Sequence, residues 1–139
     1  MEKVSKATRF VREVHATVRE ISVEQLREHE ETDPHRYPEV LKLIQAYGKL
    51  DVPIIVDLRS YVILDGHHRF KAYRELGLKR IPCVMVDYFS EHVQLFSRRP
   101  DISVSKEEVI RRALQGDLYP PKTTRHVFLD LPRLPNGSS

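Results

Sequence analysis

The chain has 139 residues, enough for one domain that buries most of the surface its unfolded form would expose. Hydrophobic residues make up 40% and charged residues 31%, a soluble globular balance, and no run approaches the roughly 18 apolar residues of a membrane span. Lys and Arg number 23 against 20 acids, and this +3 excess falls short of the dense basic stripe of a dedicated nucleic-acid binder. The charged start from Met1 to Lys6 lacks the apolar core of a secretory signal, so a cytoplasmic location is expected.

Residues 1–15 are highly charged without a period and are set apart as an N-terminal extension. Ala16 to Ile21 reads as a strand, and Ser22-Val23-Glu24-Gln25 has capping-box spacing, predicting a short helix. His29 to His35 is a polar connection. Pro38 suits a first helical turn, Val40, Leu41, Ile44 and Tyr47 recur at helical spacing, and Gly48 ends the helix. Val52 to Val56 and Tyr61 to Leu64 are β-branched runs separated by Asp57 to Ser60, the pattern of a hairpin. Phe70, Tyr73 and Leu76 mark one face of the next helix, which stops at Gly77. The single cysteine, Cys83, excludes an internal disulfide. It sits in the apolar strand pattern Ile81 to Val86 and reads as a buried, inert thiol. Val93 to Phe96 predicts a further strand, and Ser105 caps a helix carrying Val109, Ile110, Ala113 and Leu114 up to Gly116. Pro120 and Pro121 impose an extended approach to Lys122 through His126, and residues 132–139 form a Pro-, Gly- and Ser-containing tail. The domain proper is therefore expected over 16–131.

Three polar clusters bear chemistry. In the first, Asp65-Gly66-His67-His68-Arg69 follows a strand and opens a helix, where free backbone N–H groups and the helix dipole favour an anion. Gly66 admits a close backbone approach, His67, His68 and Arg69 offer donors, and Asp65 is free to cap the helix or hold a metal. Adjacent histidines at a helix start diverge by about 100°, which suits two phosphate donors better than a zinc pair. An ordinary capped turn is the plainer alternative. The second cluster, His29-Glu30-Glu31, lies on a connection, where a carboxylate either serves as a general base or is solvated. The third, Lys122-Thr123-Thr124-Arg125-His126, is either a clamp for a carboxylate or phosphate, or a solvated basic strand.

With these clusters in view, the chain resembles the ParB/sulfiredoxin-like superfamily, and within it the archaeal free L-serine kinases. Leu26 to Glu30 resembles the segment bearing the kinases' catalytic glutamate, Ile63 to Arg69 their nucleotide-phosphate motif, and Pro121 to Val127 their C-terminal substrate motif. Leu76 to Pro82 and Asp87-Tyr88-Phe89 agree as well, so the resemblance covers about residues 20 to 128. The resemblance implies an α/β fold of α+β type, with a small mixed sheet flanked by helices. It implies a kinase that transfers a phosphoryl group from ATP or ADP to the hydroxyl of free L-serine, giving O-phospho-L-serine. Glu30 would be the general base; Asp65, Gly66, His67, His68 and Arg69 would hold the nucleotide phosphates, with Asp65 also meeting Mg²⁺. Lys122, Thr123, Thr124, Arg125 and His126 would hold serine and the phosphoryl group.

The resemblance departs in two places. Longer members carry a large insertion between the segment at Ser97 to Asp101 and the helix at Lys106. Arg98 stands near a family aromatic position, where it would meet a substrate carboxylate or phosphate instead. The expected partners are serine and an adenine nucleotide, without membrane or nucleic acid. Two other functions compete. A ParB-like nucleotide- and DNA-binding protein would need a helix-turn-helix module, for which the roughly 70 residues after Arg69 leave too little chain. A nuclease would rest on Glu30 and Asp65, a thin basis for a two-metal site. A sulfiredoxin-like reductase would need a cysteine in the phosphate turn, where this chain has His67 and His68.

Overall fold

The computed structural model describes residues 18–48 and 52–129; the expected extension over 1–15 and tail over 132–139 lie outside them. Four strands, β1 (Val18–Ser22), β2 (Ile54–Asp57), β3 (Ile63–Asp65) and β4 (Arg80–Val86), form one sheet in the order β1-β4-β2-β3. β1 runs antiparallel to β4, β2 parallel to β4, and β3 antiparallel to β2, so the sheet is mixed as expected. A separate antiparallel pair joins β5 (Val93–Ser97) to β6 (Thr124–Phe128). The helices are α1 (Tyr37–Tyr47), α2 (His67–Glu75) and α3 (Lys106–Gln115). Among the described residues no helix is long and apolar enough to cross a membrane.

The central strands carry unbroken apolar runs, residues 54–56 in β2 and 81–86 in β4, because both faces of the sheet are covered. On one face Ile54, Val56, Ile81, Cys83 and Met85 pack with Val40 and Ile44 of α1 and Phe70, Ala72 and Tyr73 of α2. On the other, Ile55, Leu64, Val84 and Val86 pack with Tyr88, Tyr119, Val93 and the α3 residues Val109 and Ala113. Cys83 is fully buried, and burial pushes its thiol up to about 12, in keeping with an inert group.

Several sequence expectations shift. The helix predicted after Ser22 is a single 3₁₀ turn, Val23–Gln25, in which the Ser22 hydroxyl accepts from Glu24 N. It goes no further because the chain is drawn along the outer edge of β3. Arg27 N donates to Tyr61 O, and Ile63 N donates to Arg27 O, covering an edge that would otherwise stand open. β3 starts two residues late because Tyr61 takes a left-handed φ of 62° at the end of the Asp57–Ser60 turn. Buried Asp57 holds that turn by accepting from Ser60 N, Ser60 Oγ and Tyr88 N. Tyr47 and Leu76, read as core positions, are exposed. Tyr47 is the last residue of α1, and Leu76 follows the end of α2.

Candidate active site

A cavity of about 460 Å³ opens where the start of α2, the loop ahead of α1 and the start of β6 converge. The loop contributes Glu30, Glu31, Asp33 and Arg36; the β3–α2 turn contributes Leu64, Asp65, Gly66, His67 and His68. Arg98, Lys122, Thr124, Arg125 and His126 close the far side. Most of the predicted site residues therefore meet, although they come from four distant stretches of the chain.

Gly66 is the N-cap of α2 at φ 110°, and no side chain caps the helix. Its position is enforced by sterics: a Cβ there would lie 2.4 Å from Ile54 Cγ2. The uncapped first turn thus presents backbone N–H groups to the cavity, an anion-binding arrangement. The two histidines behave otherwise than predicted. His29 N donates to His67 Nε2 at 3.2 Å, and Asp33 N donates to His68 Nε2 at 3.0 Å. A ring nitrogen that accepts from an amide carries no proton, so both imidazoles are neutral with Nδ1 as their donor. Burial, followed by the neighbouring His29, holds His67 well below its ordinary range, and burial followed by Arg36 lowers His68. Instead of supplying positive charge, the pair fastens both ends of the loop that carries Glu30.

Arg69 does not line the cavity. Its guanidinium turns back into the protein, where it donates to Val52 O at 3.0 Å and Pro53 O at 3.1 Å and pairs with Asp65 Oδ2 at 3.2 Å. Asp65 consequently does not cap the helix. The positive charge facing the cavity comes from Arg36, Arg98, Lys122 and Arg125. Arg36 escaped the sequence reading; its position just ahead of the Pro38 helix start was the only available hint. Among the described residues no group of three or more His, Cys, Asp or Glu side chains is placed to hold a metal ion.

Glu30 faces the start of β6. Its Oε2 accepts from Lys122 N at 3.0 Å, while Oε1 accepts from Thr124 N at 2.8 Å and from the Thr124 hydroxyl at 2.6 Å. Glu30 and Tyr119 form a parallel bridge, with Tyr119 N donating to His29 O and Glu31 N to Tyr119 O. Lys122 adopts a left-handed φ of 60°, a strained conformation for a residue with a side chain. Its ammonium reaches Asp33 Oδ2 at 3.3 Å, tying the two walls of the cavity together.

His29 and Thr123 are fully buried. Thr123 donates to Pro120 O at 2.7 Å and does not line the cavity, so its predicted contact with substrate gives way to a role in the turn. His126 lines the cavity, but its Nε2 is engaged by the Tyr88 hydroxyl at 2.8 Å, and burial depresses it to about 3. It is a neutral wall residue and not the predicted cationic clamp. The sequence marks His29 only as a member of the His29-Glu30-Glu31 cluster, with no role of its own. Its Nδ1 donates to Ile63 O at 2.8 Å, its Nε2 meets Thr124 Oγ1 at 2.9 Å, and burial depresses it to about 4. On an extended segment neighbouring side chains face opposite ways, so a cavity-facing Glu30 sends His29 inward.

The ParB N-terminal domain family model matches residues 3–96. An ATP-dependent L-serine kinase of Staphylothermus marinus is 38% identical over 103 residues, covering 68% of this chain and 41% of the kinase. An ADP-dependent L-serine kinase of Thermococcus kodakarensis is 42% identical over 52 residues, covering 37% of this chain and 22% of the kinase. The chain thus spans at most about two fifths of the length of these relatives. A free serine kinase solved in complex with AMP superposes with a TM-score of 0.73 at 18% identity, over 83% of this chain and 88% of that one, a likeness of fold. On the match of the family model over most of its length, the chain belongs to the ParB N-terminal domain family.

Proposed function

We propose that the chain is a nucleotide-dependent kinase that phosphorylates the hydroxyl of free L-serine, with ATP as the donor. The observation that carries this reading is the position of the Glu30 carboxylate. It is fixed by two backbone amides and a hydroxyl in the same cavity as the uncapped start of α2 and four cationic side chains. Phosphoryl transfer needs little beyond positioning and charge stabilisation. The amides of the β3–α2 turn hold the nucleotide phosphates, and Arg36, Arg98, Lys122 and Arg125 offset the charge on the phosphates and the serine carboxylate. Glu30 Oε2 keeps a lone pair beyond its bond to Lys122 N. It takes the proton as the serine oxygen bonds to phosphorus and the bond from phosphorus to the leaving nucleotide oxygen breaks.

Asp65, the one carboxylate in the turn, would hold a Mg²⁺ ion, which would offset charge on the nucleotide phosphates. ATP is preferred on the name of the Staphylothermus relative; the ADP-dependent Thermococcus kinase makes ADP the alternative. The test is to incubate the protein with Mg²⁺, ATP or ADP, and a panel of free amino acids. O-phosphoserine from ATP and serine is the expected product. Labelled phosphate on a different amino acid, or on none, overturns the serine assignment.

A further inference from the structure

The contacts behind Glu30 contain a proton count that does not close. His29 Nδ1 lies 2.8 Å from Ile63 O, and since a carbonyl only accepts, the proton of neutral His29 sits on Nδ1. His29 Nε2 is then an acceptor, 2.9 Å from Thr124 Oγ1, and on the other side of that hydroxyl Glu30 Oε1, also an acceptor when ionised, lies 2.6 Å away. One hydroxyl hydrogen stands between two acceptors. The chain Glu30–Thr124–His29 is one proton short, and whichever way the hydroxyl points, one contact is a meeting of lone pairs.

We propose that His29, acting through the Thr124 hydroxyl, sets the proton-accepting strength of Glu30 by competing with its carboxylate for the one hydroxyl hydrogen. While Glu30 is ionised, the charged oxygen holds the Thr124 hydrogen and the His29 lone pair goes without. When Glu30 takes the proton at Oε2, Oε1 becomes a neutral carbonyl oxygen and a weaker acceptor, so the hydroxyl turns to His29 Nε2, a bond that the charged carboxylate otherwise outcompetes. His29 thereby stabilises the protonated form of Glu30 and makes the carboxylate a stronger base. No proton leaves the chain in this step, and His29 remains neutral. It is a positioning residue. The inference rests on the reading of Glu30 as the base.

Other titratable groups bear on the same chain. Around His29 stand the His67 ring of α2 at 4.5 Å, the His126 ring of β6 at 5.5 Å and Tyr119 at 6.4 Å. Glu30 shares its cavity with Arg36, Arg98, Lys122 and Arg125 and with the acids Glu31, Asp33 and Asp65. None of these lies between Glu30 Oε1 and His29 Nε2, where only the Thr124 hydroxyl stands, so substitutions at either end of that bridge isolate it.

The experiment follows the Glu30 carboxyl by ¹³C NMR in the full chain, with its signal assigned by its loss in Glu30→Gln, and in parallel the acid limb of the pH–rate profile. His29→Asn keeps a donor where Nδ1 bonds Ile63 O but removes the Nε2 acceptor. The Thr124 hydrogen then serves Glu30 alone, and both midpoints should fall by about one pH unit, tenfold in proton affinity. Thr124→Val removes a donor from the carboxylate and should move both midpoints upward. In the double variant the His29 effect should vanish. Thr124→Ser keeps the hydroxyl and should bring both midpoints back to the native values, and His29→Leu, which also lacks the Nε2 acceptor, repeats the test if His29→Asn does not fold. A His29→Asn midpoint equal to the native one, or a His29 effect that persists without the Thr124 hydroxyl, overturns the proposal. Because the carboxyl titration needs no turnover, opposite shifts in a protein that makes no phosphoserine would uphold the chain and sink only the kinase reading.

Discussion

The β3–α2 turn and the start of β6 look alike in sequence, each a short run of His, Arg and other donors, yet they spend those residues differently. In the turn, the side chains work inward: Arg69 closes onto two carbonyls and Asp65, while His67 and His68 accept from the loop opposite. What remains for a ligand is backbone. At the start of β6 buried Thr123 secures the turn, the Lys122 and Thr124 amides hold Glu30, and the Lys122, Thr124, Arg125 and His126 side chains line the cavity. A cationic residue in a motif is thus no guide to where positive charge is felt. Here the helix start turns its arginine inward, whereas the strand start keeps Arg125 at the cavity.

The sharpest way to break this contrast is at Glu30, to which both regions are fitted. Glu30→Gln should lower kcat for serine phosphorylation by about 10²–10⁴-fold with nucleotide affinity retained, while Glu31→Gln, at the same cavity without those bonds, should stay within about twofold. Steady-state kinetics beside calorimetric binding separates the two. Next comes the backbone claim for the turn. Gly66→Ala meets both a φ of 110° and a 2.4 Å approach to Ile54, and should cost about 2–4 kcal/mol in denaturant unfolding and weaken nucleotide binding.

The two arginines then test the contrast directly. Arg69→Met strands the carbonyls of Val52 and Pro53 and should cost about 1–3 kcal/mol of stability. Arg125→Met should leave the melting temperature nearly unchanged and weaken anion binding about tenfold. If Arg69→Met instead lowers affinity and spares stability, the turn delivers its charge after all.

A pH dependence of stability tests the buried rings beside the site. Burial lowers His29 to about 4 and His126 to about 3 in the folded chain, against an ordinary value near 6.5. The unfolded chain therefore binds more protons between these limits. Stability from keeping both rings neutral is intact above about pH 6.5 and is lost as pH falls toward 4 and then 3. The melting temperature should fall with pH across that window, and His126→Gln should flatten part of that slope. A slope equal to the native one would contradict burial of a neutral ring there.

Much of this was legible in the sequence because it follows from local rules. The capped α3, the Asp57–Ser60 turn, the apolar runs of a doubly covered sheet and the anion-ready Asp-Gly after a strand each depend on residues close in the chain. The fold class followed as well. What escaped is what pairing across long separations decides. His29 and Thr124 lie 95 residues apart, His29 and His67 38 apart, and nothing local says that an imidazole in a polar loop is buried or that two histidines serve as acceptors. The arrested helix after Ser22 has the same origin. Its residues have adequate helical propensity, but the open edge of β3 takes their backbone groups instead.

The central claim is that an anion is gripped by backbone amides at the start of α2, across the cavity from Glu30. Amide chemical shifts of ¹⁵N-labelled protein during titration with ADP test it most directly. The account predicts that Gly66, His67 and His68 move first and together, with Lys122 and Thr124 following when serine is added. If those three amides stay still while nucleotide binds with signals moving elsewhere, the grip is not there and the account fails.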